Sequence, residues 1–238
     1  DLPICIGGHV DYKDGDIEKR VNITRIHMEE DAGKLLHEAG TGTAVDYNRC
    51  GVPLIEIVTE PDLRSADEAK AFLETLKSII QYTGVSDCKM QEGSLRCDVN
   101  VSVREVGSTV LGTRTEMKNL NSFSAVHGAI EAESARQIAL ITDGGKVTQE
   151  TRRFDDIKGK SYAMRGKEEA HDYRYFPDPD LVPITITDEQ IALYRDSLPE
   201  LPTAKKQRFI DELGLPEYDA DLLTGERAIA DFFEASIA

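Results

Sequence analysis

Two short segments carry carboxylates in settings where they could do chemistry. Glu29 and Glu30 stand side by side in HMEEDAGK, and Glu56 lies inside the apolar run LIEIV. Carboxylate oxygens suit Mg²⁺, which usually keeps waters and substrate phosphates as further ligands. An ionised carboxylate among apolar residues is costly to bury unless a cation or donor compensates it. By pattern alone the first segment is better explained as a solvated acidic turn, and for Glu56 an exposed position and a metal site are about equally favoured.

A polar row on a predicted strand, residues 95–104, could bind a nucleotide. Side chains of a strand alternate between its faces, and here one face is apolar and the other polar. In a nucleotide site, the cationic side chains of the row would neutralise phosphoryl charge. Alternatively, the row is a solvated face on which side chains of opposite charge pair across the strands. A P-loop is excluded because no G-x-x-x-x-G-K-[ST] segment is present. The polar residues of this row and of the segment GTRTEMKNL that we consider are Arg96, Asp98, Asn100, Glu116 and Lys118.

Two long helices are predicted to position this sheet. The first begins at a capping box formed by Ser65 and Glu68 and ends at Gly84. The second spans about 121–142, and its expected inward residues are Val126, Ile130, Ile138 and Ile141.

The predicted fold class is α+β, with an antiparallel sheet cradle backed by helices and followed by the start of an all-α domain. Helical patterns near 187–197, 202–213 and 224–237 mark this later part of the chain. The predicted domains are therefore a partial cradle at 1–197 and the beginning of a helical domain at 198–238.

Composition narrows the classes of protein. The 238 residues carry 28 basic and 44 acidic side chains, a net charge of −16, which argues against a general nucleic-acid coat but not against a local basic site. Apolar residues make up 40%, enough for a core, and no apolar run approaches the ~18–20 residues that span a bilayer. The four cysteines form no C-x-x-C pair, which argues against structural zinc and favours reduced thiols in a cytosol. The first residues are not a signal peptide and resemble the middle of a domain.

A set of longer segments carries a resemblance to a known family. In chain order they are HMEEDAGK, D-x-NR-x-G-x-PLIEIV-x-EPD-x-RS, IIQYTGVSDCKMQEGSLRCDVNVSVR, KNLNSF, GG-x-x-x-QETRRFD and HDYRYFPDPDLVP. Together they resemble the B subunits of tRNA-dependent amidotransferases, over essentially the whole chain. These bacterial and organellar enzymes convert Glu-tRNA(Gln) to Gln-tRNA(Gln), or Asp-tRNA(Asn) to Asn-tRNA(Asn).

The resemblance implies a fold, an activity and partners. The cradle would be similar to the glutamine synthetase catalytic fold, followed by a helical domain and a tail domain that binds tRNA. ATP and Mg²⁺ would serve to activate the tRNA-borne carboxylate as an acyl phosphate, which ammonia then attacks. Ammonia would arrive through a channel from the glutaminase subunit of the same complex, and a third, small subunit would wrap the other two. The implied location is the bacterial cytoplasm or an organelle, without a membrane partner.

The resemblance also implies residue roles. Glu29 and Glu56 match magnesium ligands, and Glu30 matches the carboxylate at the end of the ammonia channel. Glu116 is expected beside them as a second catalytic carboxylate. Family members begin roughly ninety residues earlier, judged from motif position against a domain of ~100–150 residues. That part holds a Gly-Leu-Glu-x-His motif with further metal ligands, so this chain is expected to carry only part of the site. The residues implied in nucleotide or acyl-phosphate contacts are Arg96, Asp98, Asn100 and Lys118.

Two alternatives remain open from the sequence. The chain could be a module that docks the glutaminase subunit without chemistry of its own, using the aromatic residues Tyr173, Tyr175 and Phe176. It could also be a glutamine-synthetase-like or guanidino kinase that acts on a free small molecule.

Overall fold

The computed structural model of the protein describes residues 2–36, 42–164 and 183–237. The chain divides into two compact units, Asp1–Arg64 and Ser65–Ala238. Helices and largely antiparallel sheets are both present, which confirms the predicted α+β class. The domain boundary near residue 197 stays a prediction. Within the described residues, no helix is both long and apolar enough to cross a membrane.

The first unit is built on one long strand, β3. Antiparallel hydrogen bonds join β3 to β1, β2 and β6, with a bulge between Ile23 and Arg25. The β2–β3 hairpin closes through a two-residue loop in which Gly15 has a φ of 60°, a conformation that costs glycine little. A separate antiparallel pair is formed by β4 and β5. The strands are β1 (Cys5–Ile6), β2 (His9–Asp14), β3 (Ile17–Glu30), β4 (Lys34–Leu36), β5 (Ala44–Asp46) and β6 (Pro53–Thr59).

The second unit contains a four-stranded sheet in the order β10-β9-β8-β7. The β8–β9 pair is parallel, and the other two pairs are antiparallel. The inner face supplies Met117 and Phe154 to a core that also contains Val126 of helix α2. The strand predicted over 95–104 is hydrogen-bonded only at 99–101, although the alternation of exposure extends back to residue 95. The elements are α1 (Ala66–Thr83), β7 (Val99–Val101), β8 (Thr115–Lys118), α2 (Phe123–Thr142), β9 (Thr151–Asp155) and β10 (Lys160–Ala163).

The ends of α1 follow the sequence signals. The Ser65 hydroxyl accepts a hydrogen bond from the Glu68 amide at 3.1 Å, which satisfies a free donor of the first turn. Gly84 ends the helix in the left-handed conformation, with a φ of 77°. Both boundaries are therefore where the sequence predicted them.

The second half of α2 corrects a sequence prediction. Ile138 and Ile141 were expected to face inward, but they are 56% and 49% exposed. The fully buried positions are instead Glu133 and Gln137. They face inward because the sheet presents polar groups there, and buried polar groups require hydrogen-bond partners.

These buried residues form a polar network between α2 and the sheet. Glu133 accepts hydrogen bonds from Arg136 at 2.8 and 2.7 Å and from the Gln137 amide at 2.8 Å. The Gln137 amide also lies 3.1 Å from the Val101 carbonyl. Burial would raise the pKa of Glu133, but the hydrogen bonds from Arg136 and Gln137 outweigh it and hold the pKa below its ordinary value.

The last part of the chain is helical, as predicted, but it contains one more helix than expected. The additional helix, α5 (Glu217–Thr224), lies between the second and third of the predicted helical segments. Pro216 stands at the N-cap of α5, where its missing amide costs nothing. The Phe209 ring packs against Phe233 with 5.1 Å between centroids. The helices are α3 (Asp188–Ser197), α4 (Pro202–Leu213), α5 (Glu217–Thr224) and α6 (Arg227–Ile237).

We expect Glu133→Gln to lower the free energy of unfolding of the full-length protein by about 3 kcal/mol at pH 7. This value is at the low end for the loss of one member of a buried ion pair, because Arg136 retains a second partner, Glu150, at 3.7 Å. The pKa of Glu133 is lower in the folded protein than in the unfolded chain. Its ionised carboxylate therefore contributes fully to stability above the pKa of the unfolded chain, about 4.3, and this contribution is lost as the pH falls further. The difference between variant and wild type should therefore shrink in acid. Urea unfolding at pH 7 and at about pH 3 measures both effects.

The matched control for this variant is Glu131→Gln, an exposed carboxylate two residues earlier on α2. It should change the free energy of unfolding by no more than about 0.5 kcal/mol. Equal effects of the two variants would contradict the structural role of the buried network.

Candidate functional site

The candidate residues fall on two sheet faces, one in each unit. In the first unit, antiparallel pairing places Glu56 of β6 directly opposite His27 of β3. Glu29 stands two residues beyond His27 and therefore on the same face, diagonal to Glu56. Diagonal neighbours of this kind are about 7–8 Å apart. The structure thus brings the two predicted metal carboxylates, Glu29 and Glu56, onto one face.

Glu56 is exposed despite its apolar neighbours in the sequence. Its side chain is 50% accessible, because Ile55 and Ile57 point to the opposite face of the strand. Its carboxylate lies 3.8 Å from Nδ1 of His27, and Arg25 donates a hydrogen bond to the same nitrogen at 3.3 Å. The His27 contact was not found from the sequence, since it follows from strand register and not from a local pattern.

Glu30 is separated from Glu29. The acidic turn favoured by the sequence pattern is wrong for these two residues, because strand β3 continues through Glu30 in its pairing with β6. The two carboxylates therefore point to opposite faces. The Glu30 side chain lies against the turn that precedes β6, where Gly51 has a φ of 81°. A Cβ at Gly51 would approach the Glu30 carboxylate oxygen Oε1 to 3.2 Å. The backbone therefore leaves just enough room for Glu30 at this turn.

The two carboxylates of this face are donors of the kind that Mg²⁺ takes, but they do not form a complete metal site by themselves. Among the residues that the structure describes, no group of three or more His, Cys, Asp or Glu side chains is arranged to hold a metal ion. Two carboxylates on one face are the usual protein contribution for Mg²⁺, whose remaining ligands are waters and phosphate oxygens. Glu29 and Glu56 are therefore suitable as a partial Mg²⁺ site.

In the second unit, four of the predicted residues meet on the open face of the sheet. The Lys118 ammonium lies 2.6 Å from Asp98 and 3.2 Å from Glu116. Asn100 is the cross-strand partner of Glu116. Burial would lower the pKa of Lys118, but hydrogen bonds with Asp98 and Glu116 raise it overall and favour the charged form. Arg96 precedes β7 and is exposed.

Glu116 has a further contact that sequence reasoning missed. The Thr151 hydroxyl of β9 donates a hydrogen bond to Glu116 Oε2 at 2.7 Å. This contact depends on the parallel β8–β9 pairing, in which Glu116 is opposite Thr151. No local sequence signal predicts a parallel register, so the contact with Thr151 could be found only once the strand order of the sheet was known.

Comparison with known proteins gives a consistent result. The sequence matches the family described as GatB/GatE catalytic domain over residues 1–192. The chain belongs to this family. It is 63% identical over 238 residues to the B subunit of the aspartyl/glutamyl-tRNA(Asn/Gln) amidotransferase of Caldicellulosiruptor saccharolyticus, covering 100% of this chain and 50% of that protein. The protein of the same name from Trichlorobacter lovleyi is 62% identical over 234 residues, which is 98% of this chain and 49% of that protein.

The chain spans about half the length of the curated relatives it matches. The GatB/GatE match includes both sheet faces described above. Predicted roles for individual residues of this GatB/GatE domain remain predictions, because membership in the family does not by itself assign them. The aromatic residues Tyr173, Tyr175 and Phe176 of the docking alternative lie outside the described residues.

We expect Lys118→Met to change the stability of the protein by less than about 1 kcal/mol. The lysine and its two partners are each a third or more exposed, and ion pairs of this kind contribute little. Thermal unfolding measures the change, with Lys160→Met as a control for an exposed cation on the edge strand of the same sheet. A loss as large as that for Glu133→Gln would mean that Lys118 is a structural residue and not a ligand-binding one.

Proposed function

We propose that this chain is the catalytic part of the B subunit of a glutamine-dependent tRNA amidotransferase. ATP phosphorylates the side-chain carboxylate of Glu-tRNA(Gln) or Asp-tRNA(Asn), and ammonia from glutamine then displaces the phosphate. The observation that carries the proposal is the pair of carboxylates, Glu29 and Glu56, on one sheet face of a GatB/GatE domain. Two such oxygen donors suit the Mg²⁺ that accompanies ATP.

The proposed reaction has two steps. In the first, a carboxylate oxygen of the aminoacyl group bonds to the γ-phosphorus of ATP, and the bond to the β–γ bridging oxygen breaks and releases ADP. In the second, ammonia bonds to the acyl carbon, phosphate leaves with the electron pair of the C–O bond, and the nitrogen loses a proton. These steps give the amide, ADP and phosphate.

The residues of the chain then have distinct tasks. Glu29 and Glu56 would hold Mg²⁺, which when bound neutralises phosphoryl oxygens. Lys118 and Arg96 neutralise phosphate charge, with Asn100 as a neutral hydrogen-bond donor on the same face. Glu30 accepts the proton that the ammonia nitrogen loses. The further members of the proposed set are Asp98 and Glu116, which hold the Lys118 ammonium at 2.6 and 3.2 Å.

Fold and partners extend the same proposal. The cradle would be similar to the glutamine synthetase catalytic fold, which also transfers a phosphoryl group to a carboxylate. The partners would be the glutaminase subunit, the small subunit of the same complex and the misacylated tRNA, in the bacterial cytoplasm or an organelle. A chain with a net charge of −16 is poorly suited to hold tRNA by its general field, so the tRNA contacts would lie mainly elsewhere in the complete protein.

Two measurements distinguish the proposal from its alternatives. Binding of Mg-ATP to the complete protein by calorimetry, lost when Glu29 or Glu56 is replaced, would exclude a pure docking module. Amidation of glutamyl-tRNA but not of free glutamate would exclude a kinase that acts on a small molecule.

In the complete complex, Glu56→Ala should abolish the formation of amidated tRNA and leave the activity of the glutaminase subunit, because only the phosphoryl-transfer step needs this carboxylate. Formation of Gln-tRNA(Gln) and hydrolysis of free glutamine are assayed in parallel. The control is Glu74→Ala, which removes an exposed carboxylate on α1 that pairs only at 3.9 Å with Lys70. Normal amidation by the Glu56 variant would rule out its metal role.

Glu29→Gln should raise the Mg²⁺ concentration for half-maximal amidation by about tenfold or more, since an amide is a weaker ligand than a carboxylate. Activity should recover in part at high Mg²⁺. A titration of the amidation rate with Mg²⁺ at saturating ATP measures the shift. An unchanged midpoint with a lowered maximal rate would instead place Glu29 outside the metal site.

A further inference from the structure

The open face of the second sheet continues beyond the predicted residues. In strand register, Lys118 of β8 is opposite Arg153 of β9, and Arg153 is opposite Tyr162 of β10. Asp98 completes the row through its contact with Lys118. Directly opposed residues share a face, so these four side chains form one row across the sheet. Nothing in the local sequence pattern connects Tyr162 or Arg153 with Lys118.

The two ends of this row differ in chemistry. At one end Lys118 is a cation held by two carboxylates. At the other end the Arg153 guanidinium carbon lies 5.7 Å from the centroid of the Tyr162 ring. Neighbouring strands are about 4.8 Å apart, so the backbones of Lys118 and Tyr162 are roughly 10 Å apart. This separation is similar to that between the phosphates and the base of an extended nucleotide.

Arg153 is exposed, and no carboxylate within the described part of the chain pairs with it. Among the described residues it makes no ion pair, although the chain as a whole has 44 acidic side chains against 28 basic ones. Its partner is an aromatic ring that is itself 37% exposed. An exposed guanidinium beside an aromatic ring is suited to stack on a base and to contact a phosphate.

Contacts on the core face of the sheet stabilise the β9–β10 hairpin, which carries Arg153 and Tyr162. Arg152, the neighbour of Arg153, points to the opposite face and donates to the Ser161 hydroxyl at 2.8 Å and to the Ser161 carbonyl at 2.9 Å. It also pairs with Glu150 at 2.6 Å. The two contacts with Ser161 join β9 to β10 and support the register that places Arg153 opposite Tyr162.

We propose that Tyr162 and Arg153 form the base-binding end of a nucleotide site whose phosphate-binding end is Lys118. The base stacks on the Tyr162 ring, and Arg153 lies between base and phosphates, where it neutralises charge. This inference rests on the proposed ATP-dependent function and adds the residues that would recognise the nucleoside. Lys158 also lies over the ring, at 5.8 Å, and its side chain is 66% exposed on the β9–β10 turn, so a base that stacks on the ring would displace it into solvent.

The test uses the complete protein in its assembled complex and compares two probes, Mg-ATP and inorganic tripolyphosphate with Mg²⁺. Tyr162→Ala should weaken ATP binding by about tenfold, within the range for loss of a base–aromatic stack, and should leave tripolyphosphate binding unchanged. Tyr162→Phe keeps the ring and should bind ATP within twofold of wild type. Lys118→Met should weaken the binding of both probes.

A second pair of variants separates stacking from charge. Arg153→Lys keeps the cation but removes the planar group, so it should weaken ATP more than tripolyphosphate. Lys158→Ala removes the other cation over the same ring and should leave ATP binding within twofold of wild type. Both dissociation constants are measured by calorimetry, after thermal unfolding has shown that each variant is folded.

Several results would overturn the inference, and each is distinct from failure of the proposed function. Unchanged ATP affinity in Tyr162→Ala would overturn it, as would an equal loss for both probes, which would indicate a purely structural role. If Tyr162→Ala weakened glutamyl-tRNA but not ATP, the base would belong to RNA and the inference would be wrong. A wild-type complex that bound no ATP would instead overturn the proposed function itself.

Discussion

The buried carboxylate of Glu133 is the constraint on which the second sheet depends. A charge with no solvent exposure is too costly to keep without partners, so its surroundings must supply donors. Arg136 and Gln137 come from the same helix, and Arg152 of β9 lies 3.6 Å away. Gln137 also bonds to the Val101 carbonyl of β7 and lies 3.2 Å from the Thr115 hydroxyl of β8. One helix face therefore fixes three strands at once.

The buried network determines which side chains lie on the opposite, open face of the second sheet. In β9 the side chain of Arg152 turns inward, so those of Thr151 and Arg153 must turn outward. The parallel register then places them opposite Glu116 and Lys118, respectively. In some proteins a buried ion pair specifies one arrangement of the surrounding groups. Here the contacts of Glu133 are consistent with such a role, because they fix which side chains of β9 face the other side of the sheet. The arrangement of the candidate face thus depends on residues buried on the other side of the sheet.

The sequence predicted those parts of the molecule that depend on local pattern. The caps of α1 were correctly placed, and so was the alternation of exposure that begins at residue 95. It failed where the outcome depends on distant partners. The inward residues at the end of α2 are polar because of the strands beneath them, so hydrophobic periodicity chose the wrong positions. The His27–Glu56 and Thr151–Glu116 contacts likewise follow from strand pairing, which no window of sequence contains.

Local charges on the open face matter more for the proposed nucleotide than the net charge of the chain does. Exposed charges farther apart than about 8–10 Å are largely screened at physiological ionic strength, so the net charge of −16 matters less than the groups within that distance. Lys118 is already compensated by Asp98 and Glu116, and by itself it offers little surplus positive charge. Arg153, one strand away, adds a cation that no described carboxylate neutralises. An anionic ligand on this face would therefore meet more uncompensated positive charge at Arg153 than at Lys118.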